Sequence, residues 1–271
     1  MLKIIQLNCW MFHFFDEILD FCTAQDADII NLQEATSGYV LEFSNGQFLE
    51  ELASKLGMKI IYAPWVGVEN DERKVNWFGN AVLTRLEVLD YQIIWDKNNQ
   101  DSPHFRSHED HMTIEKLCEV DRNLAYPFVF KEPKNFISTT LKTPAGRILR
   151  NLTTHFTVTQ MCTETLQTIQ QSENITHFLV NSKQLPTIVT GDFNIQRSSA
   201  SIRNLETALQ IVNEDQNTLN PKVHAIFRKN KEHSAGLSID YILQSGIDVK
   251  TCTISQASIS DHLAIVMEFE V

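Results

Sequence analysis

TIVTGDFN, residues 187–194, is an apolar, β-branched run that stops at a glycine and delivers two polar side chains beyond it. Val and Ile in a short run suit a strand buried on both faces. Gly191 allows a sharp turn or a close approach to a neighbouring group. Asp192 and Asn194 stand two residues apart, so in extended chain their side chains share a face. A carboxylate beside an amide at a strand end suits a metal ion, or a water that must attack something. On this segment alone an ordinary turn is the better reading, since Gly, Asp and Asn are the commonest turn residues. What separates the two readings is whether other strand ends carry the same groups.

They do. Residues 2–7 read as a strand ending at Asn8, residues 27–32 as one ending at Gln33 and Glu34, and residues 148–153 as one ending at His155. Asp261 and His262 precede the final strand, 263–271. Asp240 lies in the apolar run 238–243, where an unpaired carboxylate would be costly and a histidine is the natural partner. Each residue has a plain alternative. Asn8 and Glu34 could cap chain ends, His155 could be a satisfied core histidine, and Asp261–His262 could be a turn pair. Taken together, the plain readings require six unrelated accidents at one kind of location.

Further strands are expected at 59–62, 80–83, 88–94, 128–130, 136–141 and 249–254. Helical spacing covers 16–23, 48–56 with Gly57 as its stop, 164–179 and 199–212. Ten or more strands with few helices exceed a doubly wound sheet. They fit a two-sheet sandwich whose outer faces are covered by the helices before residue 57 and from 164 to 212. The segment 96–119 is polar and aperiodic. His104, His108 and His111 there could ligate a metal with Cys118, but the pattern reads better as a solvated insertion. The cluster WMFHFF at 10–15 reads as packing of the first helix against the sheet, with a stacking or lipid-facing edge as the alternative.

A chain of 271 residues with 43% hydrophobic content, no linker and no repeat is read as one domain, 1–271. The net charge of −11 argues against a broad basic surface gripping nucleic acid. A phosphate-bearing substrate stays open, because divalent cations reverse the local field. Cys9, Cys22, Cys118, Cys162 and Cys252 are scattered without a C-x-x-C pair, which suits buried free thiols in a reducing compartment. The opening MLKIIQLN turns polar too early for a signal peptide, and no apolar run approaches a membrane span. A soluble cytoplasmic protein is expected.

The pieces LNCW with Asn8, LQE with Glu34, GNAVLTR around Asn80, TTHF with His155, GDFN with Asp192 and Asn194, IDYIL with Asp240, and SDHLAI with Asp261 and His262 occur in a familiar order. In these the chain resembles the endonuclease/exonuclease/phosphatase superfamily from end to end. That superfamily includes pancreatic-type deoxyribonucleases, apurinic endonucleases, neutral sphingomyelinases, poly(A) deadenylases and inositol polyphosphate 5-phosphatases. The resemblance implies a four-layer α/β sandwich, two mainly antiparallel sheets flanked by helices, with the active site at one end. It implies phosphoester hydrolysis by water with Mg²⁺ or Mn²⁺ held chiefly by Glu34, aided by Asn8 and Asp261. Asp192 would orient or deprotonate the water, with Asn194 holding phosphate or water in line. His262, aligned by Asp240, would stabilise phosphoryl charge, and His155 would act on the opposite side. Asn80, Arg122 and Tyr126 are candidates for touching substrate.

A phosphodiesterase acting on nucleic acid or a nucleotide is the first substrate expectation, and a phosphatase or lipid-headgroup hydrolase the second. No partner protein is implied. A silent binding module on the same fold would lack Glu34, His155, Asp192 or His262, and all four are present. An unrelated sandwich would scatter these residues in space.

Overall fold

The computed structural model describes residues 1–37, 47–69, 74–96, 103–107, 109–110, 112–113, 116, 132–213, 216–224 and 236–271. In the first sheet, β1 (Leu2–Asn8) runs parallel to β2 (Ile29–Ser37), with Asn8 opposite Gln33. Beyond β2 lie β4 (Val75–Thr84), β3 (Lys59–Glu69) and the short edge strand β6 (His104–Arg106). On the other side of β1 lie β13 (Ile265–Glu270) and β12 (Asp248–Ile254). The second sheet has the order β10 (Gln210–Ile211), β11 (Asp240–Ser245), β9 (Thr187–Asp192), β8 (Ile148–His155), β7 (Asn135–Lys142), β5 (Glu87–Trp95). Its pairs are antiparallel except β8–β9.

Both sheets are covered on both faces, which explains why their central strands are apolar at odd and even positions alike. Ile4, Ile29, Leu149, Ile188 and Ile242 meet between the sheets. Their chain neighbours Ile5, Ile30 and Val189 point the other way. Ile5 and Ile30 receive Ile18 and Cys22 from α1 (Phe15–Gln25) and Leu49 and Leu52 from α2 (Phe48–Leu56). Val189 receives Ile175 and Leu179 from α3 (Leu166–Asn181) and Ile202 and Leu205 from α4 (Ala200–Glu206). The result is the expected four-layer α/β sandwich. Gly57 ends α2 at φ 65°, where its missing side chain makes the left-handed cap free of strain.

Four details depart from the sequence reading. Helical spacing over 199–212 is realised only as far as Glu206. Gln210 and Ile211 then pair in extended form with Gln244 and Leu243, and Leu209 and Ile211 reach the same apolar cluster from that backbone. Gly191 makes no turn. It lies inside β9, where a Cβ would stand 2.8 Å from Thr154 Cγ2 and closer still to the Thr154 carbonyl oxygen. The polar segment after residue 95 is not simply solvated. Asp96 is buried and accepts from Gln171 Nε2 at 2.7 Å, and Arg106 is buried against Glu132. His108, His111, Cys118 and residues 128–130 lie outside the described residues. Of the described cysteines only Cys9 and Cys22 are buried, Cys162 and Cys252 being half-buried.

Phe12 and Phe15 pack on Phe48 at 6.1 and 4.7 Å, as expected of the aromatic cluster, while Trp10 stacks on His13 at 4.0 Å. Among the described residues, no helix is long and apolar enough to cross a membrane.

Candidate active site

Alternation along the central strands builds the site. Inner-face residues run Ile4, Gln6, Asn8 on β1, Ile29, Asn31, Gln33 on β2, Leu149, Asn151, Thr153, His155 on β8, and Ile188, Thr190, Asp192 on β9. The β8 and β9 series pass from apolar, through amide or hydroxyl, to His155 and Asp192, while those of β1 and β2 end on the amides Asn8 and Gln33. The middle tier is buried and satisfied across the sheets. Asn31 Nδ2 donates to Asn151 Oδ1 and Thr190 Oγ1, both at 2.8 Å, and Gln33 Nε2 donates to Thr153 Oγ1 at 2.8 Å. Paired in this way, buried amides cost little, and they lock the register of one sheet on the other.

At the end of this ladder the residues converge on Asp192. Its Oδ2 accepts from Asn8 Nδ2 at 3.0 Å and lies 3.5 Å from His155 Nε2 and 3.7 Å from His262 Nε2. Asp240 sits directly opposite Asp192 in the β11–β9 register and accepts from His262 Nδ1 at 2.9 Å. Asn194, left-handed at φ 53°, donates its backbone N–H to Asp192 Oδ1 at 2.9 Å and its amide to Phe156 O at 3.1 Å. Asn194 therefore fixes Asp192, and its amide nitrogen is already engaged.

Glu34 reaches the cluster through a local irregularity. In a regular strand Gln33 would face inward and Glu34 outward. The register shifts between Leu32 and Ala35, with Glu34 at φ 53°, a conformation that costs a non-glycine residue energy. Burial and then Asp261 push the Glu34 carboxyl up, while His262, a hydrogen bond from Asn8, and Lys134 pull it down. Asn8 Oδ1 accepts from Trp10 N–H at 3.0 Å, so its amide faces the carboxylates and orients them.

The electrostatics separate the two histidines. Burial opposes charge on His262, but Asp240, Asp192 and Asp261 outweigh it and hold its pKa well above the ordinary range. Burial, then Lys134 and His262, push His155 well below. Both ring nitrogens of His155 are buried without a hydrogen-bond partner. Burial pushes Asp192 up to about 7 against the pull of His262.

These donors fit a divalent cation. Glu34 and Asp261 are acidic groups that repel one another at a partly buried site, and their hard oxygens suit Mg²⁺ or Mn²⁺. Two tighter clusters also hold ligand-type atoms within 4.8 Å of one another: Asp192, Asp240 and His262, and His224, Asp261 and His262. In both, His262 is already committed to carboxylates, its Nδ1 donating to Asp240 and its Nε2 lying 3.7 Å from Asp192.

Several neighbours were not anticipated. Lys134 and Trp65 flank His155, with the Lys134 ammonium 4.2 Å from the Trp65 ring centre and Trp65 edge-on to His155 at 5.2 Å. Thr218 Oγ1 accepts from Asp240 N at 3.2 Å, and Asn220 N donates to Asp261 O at 2.7 Å, so this segment stitches Asp240 to the Asp261–His262 loop. A lone lysine between Pro133 and Asn135 and a TLN tripeptide carry no spacing that marks them in sequence. Asn80 is fully buried and donates to Asn135 O at 2.9 Å, away from any open surface. Arg122 and Tyr126 lie outside the described residues.

Two helix-clad sheets with acidic groups and histidines gathered at one end define a class, the phosphoester hydrolases built on a four-layer sandwich. The model of the Endonuclease/Exonuclease/phosphatase family matches residues 5–262, and the chain belongs to that family. Solved structures agree in fold. An endonuclease/exonuclease/phosphatase from Beutenbergia cavernae superposes with TM-score 0.70 at 17% identity, over 100% of this chain and 71% of that one. The mannosyl-6-phosphatase of Bacteroides thetaiotaomicron gives 0.65 at 15%, over 100% of both chains. The human Nocturnin catalytic domain with bound sulfate gives 0.63 at 17%, over 99% and 93%. No curated protein sequence matches.

Proposed function

We propose that the protein, acting as one domain over residues 1–271, is a Mg²⁺- or Mn²⁺-dependent hydrolase that drives water in line onto phosphorus. The observation that carries this reading is the convergence of Asn8, His155 and His262 on Asp192, with Asp240 behind His262. When bound, the cation supplies Lewis-acid neutralisation of a phosphoryl oxygen. Glu34 and Asp261 would hold it, and Asn8 orients Glu34. Asp192 takes the proton of the attacking water as the water oxygen bonds to phosphorus and the ester P–O bond breaks, the departing oxygen taking up a proton from solvent. A pKa near 7 suits that task at neutral pH. His262, kept charged by Asp240, donates to the phosphoryl oxygens, and neutral His155 donates on the other flank. The buried free thiols of Cys9 and Cys22 support a reducing, cytoplasmic setting.

Of the two substrate classes, a nucleic-acid or nucleotide diester and a terminal phosphate on a small molecule or lipid headgroup, the second has the better support. The net charge of −11 disfavours a long polyanion, and the site holds a buried ammonium, Lys134. The test is a hydrolysis panel of abasic DNA, single-stranded RNA and DNA, sphingomyelin, inositol phosphates and nucleotides with each metal. The expected result is turnover of a terminal phosphate that is lost with EDTA, restored by Mg²⁺ or Mn²⁺, and nearly flat with salt. Turnover falling steeply with salt would indicate backbone contacts to nucleic acid instead. No turnover with either metal would leave a binding module.

Asp240→Asn keeps shape and removes charge. His262 then loses the carboxylate that most favours its protonated form, so its pKa falls and the active imidazolium is lost at lower pH. The alkaline limb of the pH–rate profile is expected to move down by about one unit or more. An unmoved limb would remove Asp240 from this role.

A further inference from the structure

We propose that Lys134 is a phosphoryl-binding residue which, with His155, forms a third station for phosphate oxygen and so selects a terminal phosphate over a diester. This rests on the hydrolase reading above. Lys134 is 2% exposed, and a lysine is seldom buried that far unless its charge is paired. Its ion pair with Glu132 is long, 3.9 Å, and Glu132 is already paired with Arg106. The ammonium lies over Trp65, whose edge meets His155, a ring 2% exposed with neither nitrogen hydrogen-bonded. A buried cation beside an unsatisfied imidazole is matched by an anionic oxygen, which accepts from both.

The fold holds this pair deliberately close to the carboxylates. Asn135, next in the chain, receives Asn80 Nδ2 on its carbonyl at 2.9 Å and sends its own amide to Ala63 O at 3.4 Å and Pro64 O at 3.5 Å. The neighbours of Lys134 and Trp65 are thus tied together across the two sheets, and Asn80 is a positioning residue for the station. Burial lowers the Lys134 pKa, opposed first by Glu132 and then by Glu34 and Asp192, so the ammonium lies within the field of the site carboxylates.

The number of stations then speaks to the substrate. A diester phosphate has two non-bridging oxygens sharing one negative charge. A cation held by Glu34 and Asp261 would provide for one of these and the charged His262 for the other. A terminal phosphate has a third such oxygen and a second charge near neutral pH. Lys134 and His155 provide for that one. In a diester the same place is taken by an ester oxygen bearing carbon, a poor partner for an ammonium.

The test uses 4-nitrophenyl phosphate and bis(4-nitrophenyl) phosphate, which share a leaving group, with Mn²⁺ and the full chain. Wild type is expected to favour the monoester. Lys134→Met should lower monoester kcat/KM by about ten- to a hundredfold, the worth of one charged hydrogen bond. The monoester-to-diester ratio should fall at least about tenfold, and Lys134→Arg should recover part of it. Inorganic phosphate gives a second readout independent of turnover, since its binding raises the melting temperature. Its affinity should weaken about tenfold or more in Lys134→Met. A wild type that prefers the diester, an equal loss on both esters, or unchanged phosphate affinity would overturn the proposal. If neither ester is hydrolysed by wild type, the hydrolase reading fails while phosphate affinity still decides the role of Lys134. Should Lys134→Met fold poorly, Lys134→Gln takes its place in both measurements.

Discussion

Asp192→Asn is expected to lose about two to four orders of magnitude in kcat, the range for removing a positioned base, while KM moves little. The substitution preserves volume and keeps an oxygen to accept the Asn194 N–H, which lies 2.9 Å from Oδ1. What it removes is the charge that takes the proton of the water and that faces His155 and His262 at 3.5 and 3.7 Å. Stability should move the opposite way. Burial pushes the Asp192 carboxyl up to about 7, above the ordinary carboxylate value near 4. A raised folded-state pKa means that the folded protein favours the neutral form. The contribution is full below the unfolded pKa and is lost as pH rises through about 7. In metal-free protein at pH 8 the neutral Asn variant should therefore melt at or above wild type. Loss of rate with retained or raised melting temperature separates chemistry from unfolding. Near-normal turnover would overturn the mechanism.

Gly191→Ala, one residue earlier, is expected to destabilise the protein by about 3 kcal/mol, the upper part of the range for overpacking. The backbone at Gly191 is ordinary strand, so conformational freedom is not the issue. The obstacle is Thr154. A Cβ would press on its carbonyl oxygen and stand 2.8 Å from its Cγ2, and a backbone carbonyl has no rotamer to escape into. The parallel strands β8 and β9 must part there, next to the register pair His155–Asp192. The rate should fall with stability, because misplacement of reacting groups by about 1 Å can cost about a hundredfold. Denaturant midpoints and kcat measured on the same preparation check both halves. A variant as stable as wild type would show that the strands can give way.

These two neighbours are written in the chain in different ways. Asp192 was legible because a polar group after TIVTG breaks an apolar pattern, and the same break recurs at Asn8, Glu34, His155 and Asp261–His262. The strand requirement for glycine was legible only as an option. Whether Gly191 served a turn or a close approach depended on where Thr154, 37 positions earlier, was brought to lie. The bulge that turns Glu34 inward was hidden for a similar reason, since its left-handed backbone is imposed by pairing with β4 and no residue preference announces it. The helix expected over 199–212 failed at its second half because edge pairing with β11 competed with local periodicity and won.

Local chemistry by itself determined the strands, the covered sheets and the polar groups at their ends, because side-chain periodicity and burial are properties of a few adjacent residues. Partnership was decided by tertiary structure alone. Lys134 beside Trp65 and His155, Asn80 beneath Asn135, and Thr218 behind Asp240 are each a meeting of segments far apart in the chain. No spacing rule encodes such a meeting. It follows from the packing of one sheet on another, where the satisfied amides Asn31, Gln33 and Asn151 hold the register that sets every distance at the site.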